Sequence, residues 1–366
     1  MDRRSFLTTT AVGAAGAATL AAPAIAQDTQ EVTMVTTWPK NFPGLGVGAQ
    51  RVADRITAAT DGRITVRLYA AGELVPPFES FDAVSSGSAE MYHGAEYYWQ
   101  GKHKGFNFFT AVPLGFTAQE IEAWLHFGGG QELWDELAAQ FGVKCFSAGN
   151  TGVQMGGWFR NPITSLDDMK GLKMRIPGLG GEVIRAVGGS AVALPGGEIF
   201  PALQAGTIDA TEWVGPYNDM AFGFHQVLKN YMYPGFHEPG SALSVGMNKA
   251  WWDQQGDADK AIIEACCHAE NDVMMAEFNA RNGDALATLV NDHGVQLHEF
   301  PEEVFKAIAE ASEQVVEEAG REDEIGTRIY ESYISFREKV RDWTRLADTA
   351  YDRARLAALG PVKPTE

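Results

Sequence analysis

Short β-branched runs alternate with stretches of helical periodicity through the first two-thirds of the chain, and long amphipathic stretches follow. Residues 32–36 and 64–69 predict strands. Between them, residues 45–60 predict a helix that Asp61-Gly62 stops. The three form a β-α-β unit, for which parallel pairing and a right-handed crossover are expected. Residues 78–86 predict a short helix and 89–93 a third strand. A second series opens at 143–146 and 153–158, with a strand at 172–176, a helix at 181–187, a helix at 198–205 and a strand at 210–213. Two sets of such units predict two α/β lobes. From about Asp257 the pattern turns to long helices, with Pro301 placed as a first helical residue. Val304, Ile308, Ala311 and Val315, then Ile329, Tyr330, Tyr333 and Ile334, recur at helical spacing and predict core packing. No flexible linker separates the lobes, so the chain is expected to cross between them by short passages.

The first residues have a different pattern. Arg3 and Arg4 precede an apolar stretch from Phe6 to about Ala22, and Ala24-Ile25-Ala26 supplies a small-x-small cleavage site. Residues 1–26 therefore predict an export signal. The paired arginines match a twin-arginine signal, but Asp2 and Thr8 depart from its fullest form, so the export route stays open. No other run approaches the ~18 apolar residues of a spanning helix. The expected location is the periplasm.

Charge and cysteine content then exclude several classes. A formal net charge of −19 argues against nucleic acid, which needs clustered Lys and Arg. Three cysteines, with Cys266 and Cys267 adjacent, form neither a disulfide framework nor a CxxC site and read as small buried residues. Gly44-Leu45-Gly46-Val47-Gly48-Ala49 superficially matches a dinucleotide fingerprint, but a stretch with two prolines separates it from the strand. A glycine-opened helix facing a ligand cleft is the better reading, and Pro177-Gly178-Leu179-Gly180-Gly181 repeats the design. Both could present helix N-termini to an anion. No nucleophile-elbow, zincin or P-loop signature occurs, and the histidines lack metal-ligand spacing.

Three stretches carry a resemblance: 149–160 (Gly-Asn-Thr-Gly-Val-Gln-Met-Gly-Gly-Trp-Phe-Arg), 171–175 (Gly-Leu-Lys-Met-Arg) and 206–216, which contains Thr211-Glu212-Trp213-Val214-Gly215-Pro216. Together with Ala71-Gly72-Glu73-Leu74 and Tyr233-Pro234-Gly235-Phe236, they are similar to the DctP family, the solute-binding proteins of tripartite ATP-independent periplasmic (TRAP) transporters. The likeness spans essentially the whole chain after the signal. It is closest to the subgroup that binds 2-oxo acids such as pyruvate, or hydroxy acids such as lactate.

The resemblance implies an α/β, two-lobed periplasmic-binding-protein fold with hinge crossings and a helical C-terminal region. Residues 27–152 and about 242–285 would form lobe I, 153–241 and about 286–345 lobe II, and 346–366 a C-terminal helix and tail. It implies that Arg175 grips the ligand carboxylate, for which a planar, permanently charged guanidinium is suited. It also implies a bound metal ion, sodium first and calcium as the alternative, held by the Gln154 side-chain carbonyl, the Glu212 carboxylate and the Trp213 backbone carbonyl. Those are oxygen donors suited to a hard cation. The cation would also mask Glu212 from an anionic ligand. Asn150 is a candidate donor to the ligand, with a turn role as the plainer alternative. His93, Gly94 and Ala95 end a strand where the opposite lobe should meet the cleft, and Tyr97, Tyr98 and Trp99 are candidate walls. Glu238 is placed to close the site from the hinge. Gly94-Ala95-Glu96 departs from the subgroup's pattern and is expected to put the Glu96 charge near the entrance.

The implied function is delivery of a small 2-oxo or 2-hydroxy monocarboxylate to membrane TRAP permease subunits, with a possible homodimer through the C-terminal helix. The rival is an exported metal-dependent enzyme acting on a small carboxylic acid, with Glu212 or Glu238 as general base. Ligand capture for a membrane receptor would use the same cleft.

Overall fold

Two mixed sheets face each other across a cleft in the computed structural model, which describes residues 29–360. The export-signal reading, and residues 361–366 of the expected tail, lie outside those residues. The strands are β1 (Gln30–Thr36), β2 (Ile64–Tyr69), β3 (Met91–Gly94), β4 (Val143–Asn150), β5 (Gly157–Phe159) and β6 (Lys173–Arg175). They continue with β7 (Ser190–Val192), β8 (Ala210–Thr211), β9 (Asn230–Tyr233), β10 (Ala242–Asn248) and β11 (Gln296–Glu299). The first sheet runs β2-β1-β3-β10-β4 and the second β11-β9-β5-β8-β6-β7. The expected β1-helix-β2 unit is present, with Leu45–Ala59 as its helix and parallel pairing from Gln30↔Ile64 to Val35↔Tyr69.

Several expectations need correction. The strand at 143–146, assigned to the second series, is β4 and pairs with β10 in the first sheet. β10 escaped prediction because Ser244 and Gly246 interrupt its apolar run. It lies antiparallel between β3 and β4. Gly246 belongs there for a steric reason: a Cβ would come within 2.0 Å of the Tyr92 ring. Of the strand expected at 153–158, only Gly157 and Trp158 pair as a strand, in β5 (Gly157–Phe159). Gln154 and Met155 instead donate their backbone N–H groups to the carbonyls of Glu238 and Val214, forming a crossing between the sheets. Pro301 caps the helix Glu302–Gly320 from one residue outside it.

The helices join the sheets. Asp257–Asn291 is 35 residues long, roughly 50 Å at 1.5 Å per residue. Its Ile263 and Cys267 pack with β1 and β2, whereas Met274, Phe278 and Leu289 pack with Trp213 and Leu203. All three cysteines are buried and free. Glu302–Gly320 likewise turns Val304 and Ile308 to the second sheet's core and Val316 and Ala319 to the first.

The division that assigned about 286–345 to lobe II does not describe Glu324–Thr344. Its Tyr333 ring lies 3.9 Å from that of Phe116, and the Phe116 N–H donates to the Tyr333 hydroxyl at 2.8 Å. The aromatic cluster of the first unit, which includes Phe108 and Trp124, is what this helix's apolar stripe covers. Among the described residues, no helix is long and apolar enough to cross a membrane.

Candidate functional site

The segments that leave the carboxyl ends of β1, β3, β4, β6, β8 and β9 converge between the two sheets, the usual place for ligands in open α/β architectures. They close on a small gap with about 10 Å³ of free space, barely room for one water molecule. Trp38, Leu45, Tyr97, Tyr98, Thr151, Ser241 and Leu243 line it on one side, and Gln154, Trp213 and Val214 on the other. Trp38 and Trp213 meet edge to face across it, with ring centres 6.1 Å apart.

Arg175 ends β6 and is 1% exposed. Its Nη1 donates to the Glu212 carboxylate at 2.5 Å and to the Glu212 backbone carbonyl at 3.1 Å. Its Nε donates to the Leu194 carbonyl at 3.1 Å, and its Nη2 is buried without a partner. The guanidinium also lies over the Trp213 ring, 5.2 Å from its centre. A ligand carboxylate would therefore meet one terminal nitrogen, because the protein already occupies the rest of the fork.

The strand expected at 210–213 ends at Thr211, so Glu212 and Trp213 leave the sheet and enter the cleft. Asp219 fixes this departure. Its Oδ1 accepts from the backbone N–H groups of Val214 and Gly215, and its Oδ2 from Trp158 and Tyr231. The other Glu212 oxygen faces His237 Nε2 at 3.2 Å. Burial opposes a charge on His237, yet its hydrogen bond to Glu212 and that carboxylate's charge prevail and raise its pKa. Sequence reasoning missed His237; a polar pair between an aromatic run and Pro239-Gly240 was the available signal.

Gln154 donates Nε2 to Glu238 at 2.7 Å and to Thr151 at 3.1 Å, which leaves its Oε1 buried without a partner. The Tyr97 hydroxyl reaches the same Glu238 oxygen at 3.5 Å. Burial, and then the Glu212 charge, push the Glu238 carboxyl up to about 7. Glu212, His237 and Glu238 each offer a ligand atom, all within 4.8 Å of one another and all buried. A bare carbonyl oxygen beside two carboxylates fits a hard cation, which would also relieve the repulsion between those carboxylates. Asn150 makes the turn its plainer reading expected, accepting from the Gly152 N–H at 2.8 Å, and its Nδ2 remains buried and unpartnered.

The other candidates are placed differently. His93 accepts from Trp38 Nε1 at 2.8 Å through Nδ1, and its Nε2 faces the Ala148 carbonyl at 3.1 Å. Both ring nitrogens are thus engaged, and burial lowers its pKa to about 4. It holds Trp38 in the wall, in place of the ligand contact expected of it. Gly94 and Ala95 are fully buried behind the same wall. Glu96 is corrected outright: it is buried in the first unit, and its Oε1 accepts from Tyr92 at 2.6 Å and Ser244 at 2.5 Å. It contributes no charge at the entrance. The helices Leu45–Ala59 and Gly178–Ala186 do begin beside this region, the first through Leu45 in the lining and the second through Gly178 against Tyr97.

Residues 34–323 match the family model of DctP, the bacterial extracellular solute-binding proteins of family 7. A monocarboxylate 2-oxoacid-binding periplasmic protein of Nostoc is 41% identical over 319 residues, 87% of each chain. A TRAP periplasmic solute-binding protein of Pseudoalteromonas atlantica, solved with sodium and pyruvate, is 38% identical with a TM-score of 0.86, over 89% of this chain and 99% of that one. Its counterpart from Colwellia psychrerythraea, solved with calcium and pyruvate, is 37% identical with the same TM-score and coverage. A Bordetella bronchiseptica relative, 36% identical with a TM-score of 0.88 over 90% of this chain and 98% of that one, is a dimer with calcium and picolinate in one site and an apo second site.

Proposed function

This chain belongs to the DctP family of extracellular solute-binding proteins, and from that membership we propose that it captures a small 2-oxo or 2-hydroxy monocarboxylate together with a hard cation. It is a periplasmic component of a TRAP transporter and works with membrane permease subunits. The observation that carries the ligand reading is the set of buried polar atoms left unpaired at the gap and just behind its lining: Gln154 Oε1 as acceptor in the lining, Arg175 Nη2 against the Trp213 ring and Asn150 Nδ2 next to Thr151 as donors. Buried polar groups are nearly always satisfied, so a bound anion and cation account for all three.

In this reading Arg175 Nη2 and Asn150 hold the ligand carboxylate, while Tyr97, Tyr98 and Trp213 exclude water. Gln154, Glu212 and the Trp213 carbonyl hold sodium or calcium, whose charge offsets that of Glu212. Glu238 fixes the Gln154 amide so that its oxygen faces the cation. The gap as it stands has room for barely one water, so the two units must part to admit even an acid of a few carbons. The two units close by hinge motion at the crossings near residues 150–157 and 233–242. In this reading the acid leaves unchanged, which is supported by the engagement of both candidate bases: Glu212 by Arg175 and His237, Glu238 by Gln154 and Tyr97. We place the lobe boundaries near residues 152 and 241, a reading supported by β4 and β10 lying in the first sheet and β5 and β9 in the second. A homodimer would cover Trp343, Leu346, Leu356 and Leu359, all more than half exposed on the C-terminal helices.

The test is calorimetry of the mature chain with pyruvate and with lactate in sodium, calcium or neither, with proton NMR of the recovered ligand. Cation-dependent binding of unchanged acid is expected. Conversion of the acid, or no heat with either acid in any buffer, overturns the proposal.

A further inference from the structure

Of the backbone carbonyls at residues 212–215, three are taken. The Glu212 carbonyl accepts from Arg175 Nη1 at 3.1 Å and from the Thr211 hydroxyl at 2.9 Å. The Val214 carbonyl accepts from the Met155 N–H at 3.1 Å, and the Gly215 carbonyl from the Asp219 N–H at 2.9 Å. Among the described residues no donor reaches the Trp213 carbonyl, on a residue only 5% exposed. Carbonyls in buried segments are nearly always paired, so this one is free for a partner the chain does not supply.

Asp219 decides which way that carbonyl points. The Trp213–Val214 peptide is trans, so its C=O and N–H face opposite sides. Its N–H, on Val214, donates to Asp219 Oδ1 at 3.1 Å, and the Gly215 N–H donates to the same oxygen at 3.1 Å. Oδ2 accepts from Trp158 Nε1 at 2.9 Å and from the Tyr231 hydroxyl at 2.6 Å. Those two rings stack with centres 4.1 Å apart on the paired strands β5 and β9. Asp219 is 1% exposed, and its carboxylate is thus fixed from the second sheet. With the peptide N–H tied to that core, its C=O faces away from it.

We propose that Asp219 is a positioning residue for the cleft cation: it aims the Trp213 carbonyl at the ion while touching neither the ion nor the acid. The inference rests on the reading of Gln154, Glu212 and the Trp213 carbonyl as the oxygen set. A carbonyl brings a dipole and no net charge, so its value to a hard cation depends on its direction. Outer partners that orient metal ligands typically account for about 10–100-fold in affinity. The plainer role for Asp219, tying down the first turn of the helix Pro216–Phe222, would cost stability and leave the cation requirement unchanged.

Trp213–Val214 is the one Trp-Val step in the chain. Mature protein labelled with carbon-13 at tryptophan carbonyls and nitrogen-15 at valine therefore gives a single amide–carbonyl NMR signal for this peptide. The test is titration with sodium and with calcium in the presence of pyruvate, read by that signal and by calorimetry, for the wild type, Asp219→Ala, Asp219→Asn and Tyr231→Phe. Asparagine keeps an oxygen for the Val214 and Gly215 N–H groups, because the Tyr231 hydroxyl can turn to accept from its amide. The Trp213 carbonyl signal should move on cation binding in the wild type. The half-maximal cation concentration should rise at least tenfold in Asp219→Ala and less than threefold in Asp219→Asn, although both lower the thermal midpoint. Tyr231→Phe loosens the Oδ2 side alone; it should raise the requirement about threefold, and it carries the test if the alanine variant does not fold. An unchanged cation requirement in Asp219→Ala, or in Tyr231→Phe standing in for it, overturns this inference and leaves the proposed function intact. A Trp213 signal that stays still while calorimetry shows cation and acid bound overturns it as well. Absence of any binding by the wild type, in either salt, removes the proposed function and this inference together.

Discussion

Arg175 gives both protons of Nη1 to one residue, Glu212, through the carboxylate at 2.5 Å and the backbone carbonyl at 3.1 Å. The pair is buried, each side chain 1% exposed. Removing one partner leaves a buried charge uncompensated, which costs about 3–5 kcal/mol. Arg175→Met should therefore lower stability by that amount and abolish acid binding. Adding Glu212→Gln should recover much of the stability and none of the binding. Denaturant unfolding and calorimetry on the four proteins of this cycle separate the two roles.

Gln154 offers a neutral amide oxygen, buried without a partner, on a side chain that Glu238 holds. Gln154→Ala should remove the dependence of acid binding on sodium or calcium and weaken binding at least tenfold. Gln154→Glu adds a third carboxylate and should shift preference toward calcium, since divalent charge then offsets the repulsion better. Titrations in the two salts read the ratio.

Glu96 predicts a pH dependence of stability. Burial pushes its carboxyl up to about 7, against the hydrogen bonds from Ser244 and Tyr92 that favour the charged form. Its folded pKa thus exceeds the unfolded value of 4.5. Between those values the folded chain holds a proton that the unfolded chain has lost, so stability falls as pH rises from about 4.5 to about 7, then levels off. The span corresponds to roughly 3 kcal/mol. Glu96→Gln should flatten this part of the profile in chemical unfolding from pH 4.5 to 8, while acid binding at neutral pH stays intact.

Glu277 joins the two units: one oxygen accepts from Arg51 at 2.8 Å, the other from the Tyr217 hydroxyl at 3.1 Å. Arg51 lies on the helix after β1 and Tyr217 on the helix that follows the Glu212 loop. If the contact forms only as the units close on a ligand, Glu277→Gln should speed ligand release a few fold in stopped-flow measurements and leave association unchanged.

Much of this was legible in the chain itself. Local β-branched runs and glycine stops placed β1, β2 and the helix between them almost to the residue. The motif around Leu172-Lys173-Met174-Arg175 and Thr211-Glu212-Trp213 marked residues that do converge. Those signals are local, and local propensity needs no knowledge of distant neighbours.

What the sequence settled by itself was the alternation of elements, the strongly acidic net charge, and the motifs that point to Arg175, Gln154 and Glu212. Tertiary structure alone decided that β10 enters the first sheet beneath Tyr92, that His237 clamps Glu212, and that Glu96 lies buried away from the entrance. It also decided that Arg175 has a single free nitrogen and that His93 supports Trp38. Each of these depends on groups far apart in the chain meeting in one dry space, where burial and shared hydrogen bonds, not spacing along the backbone, determine what a side chain can do.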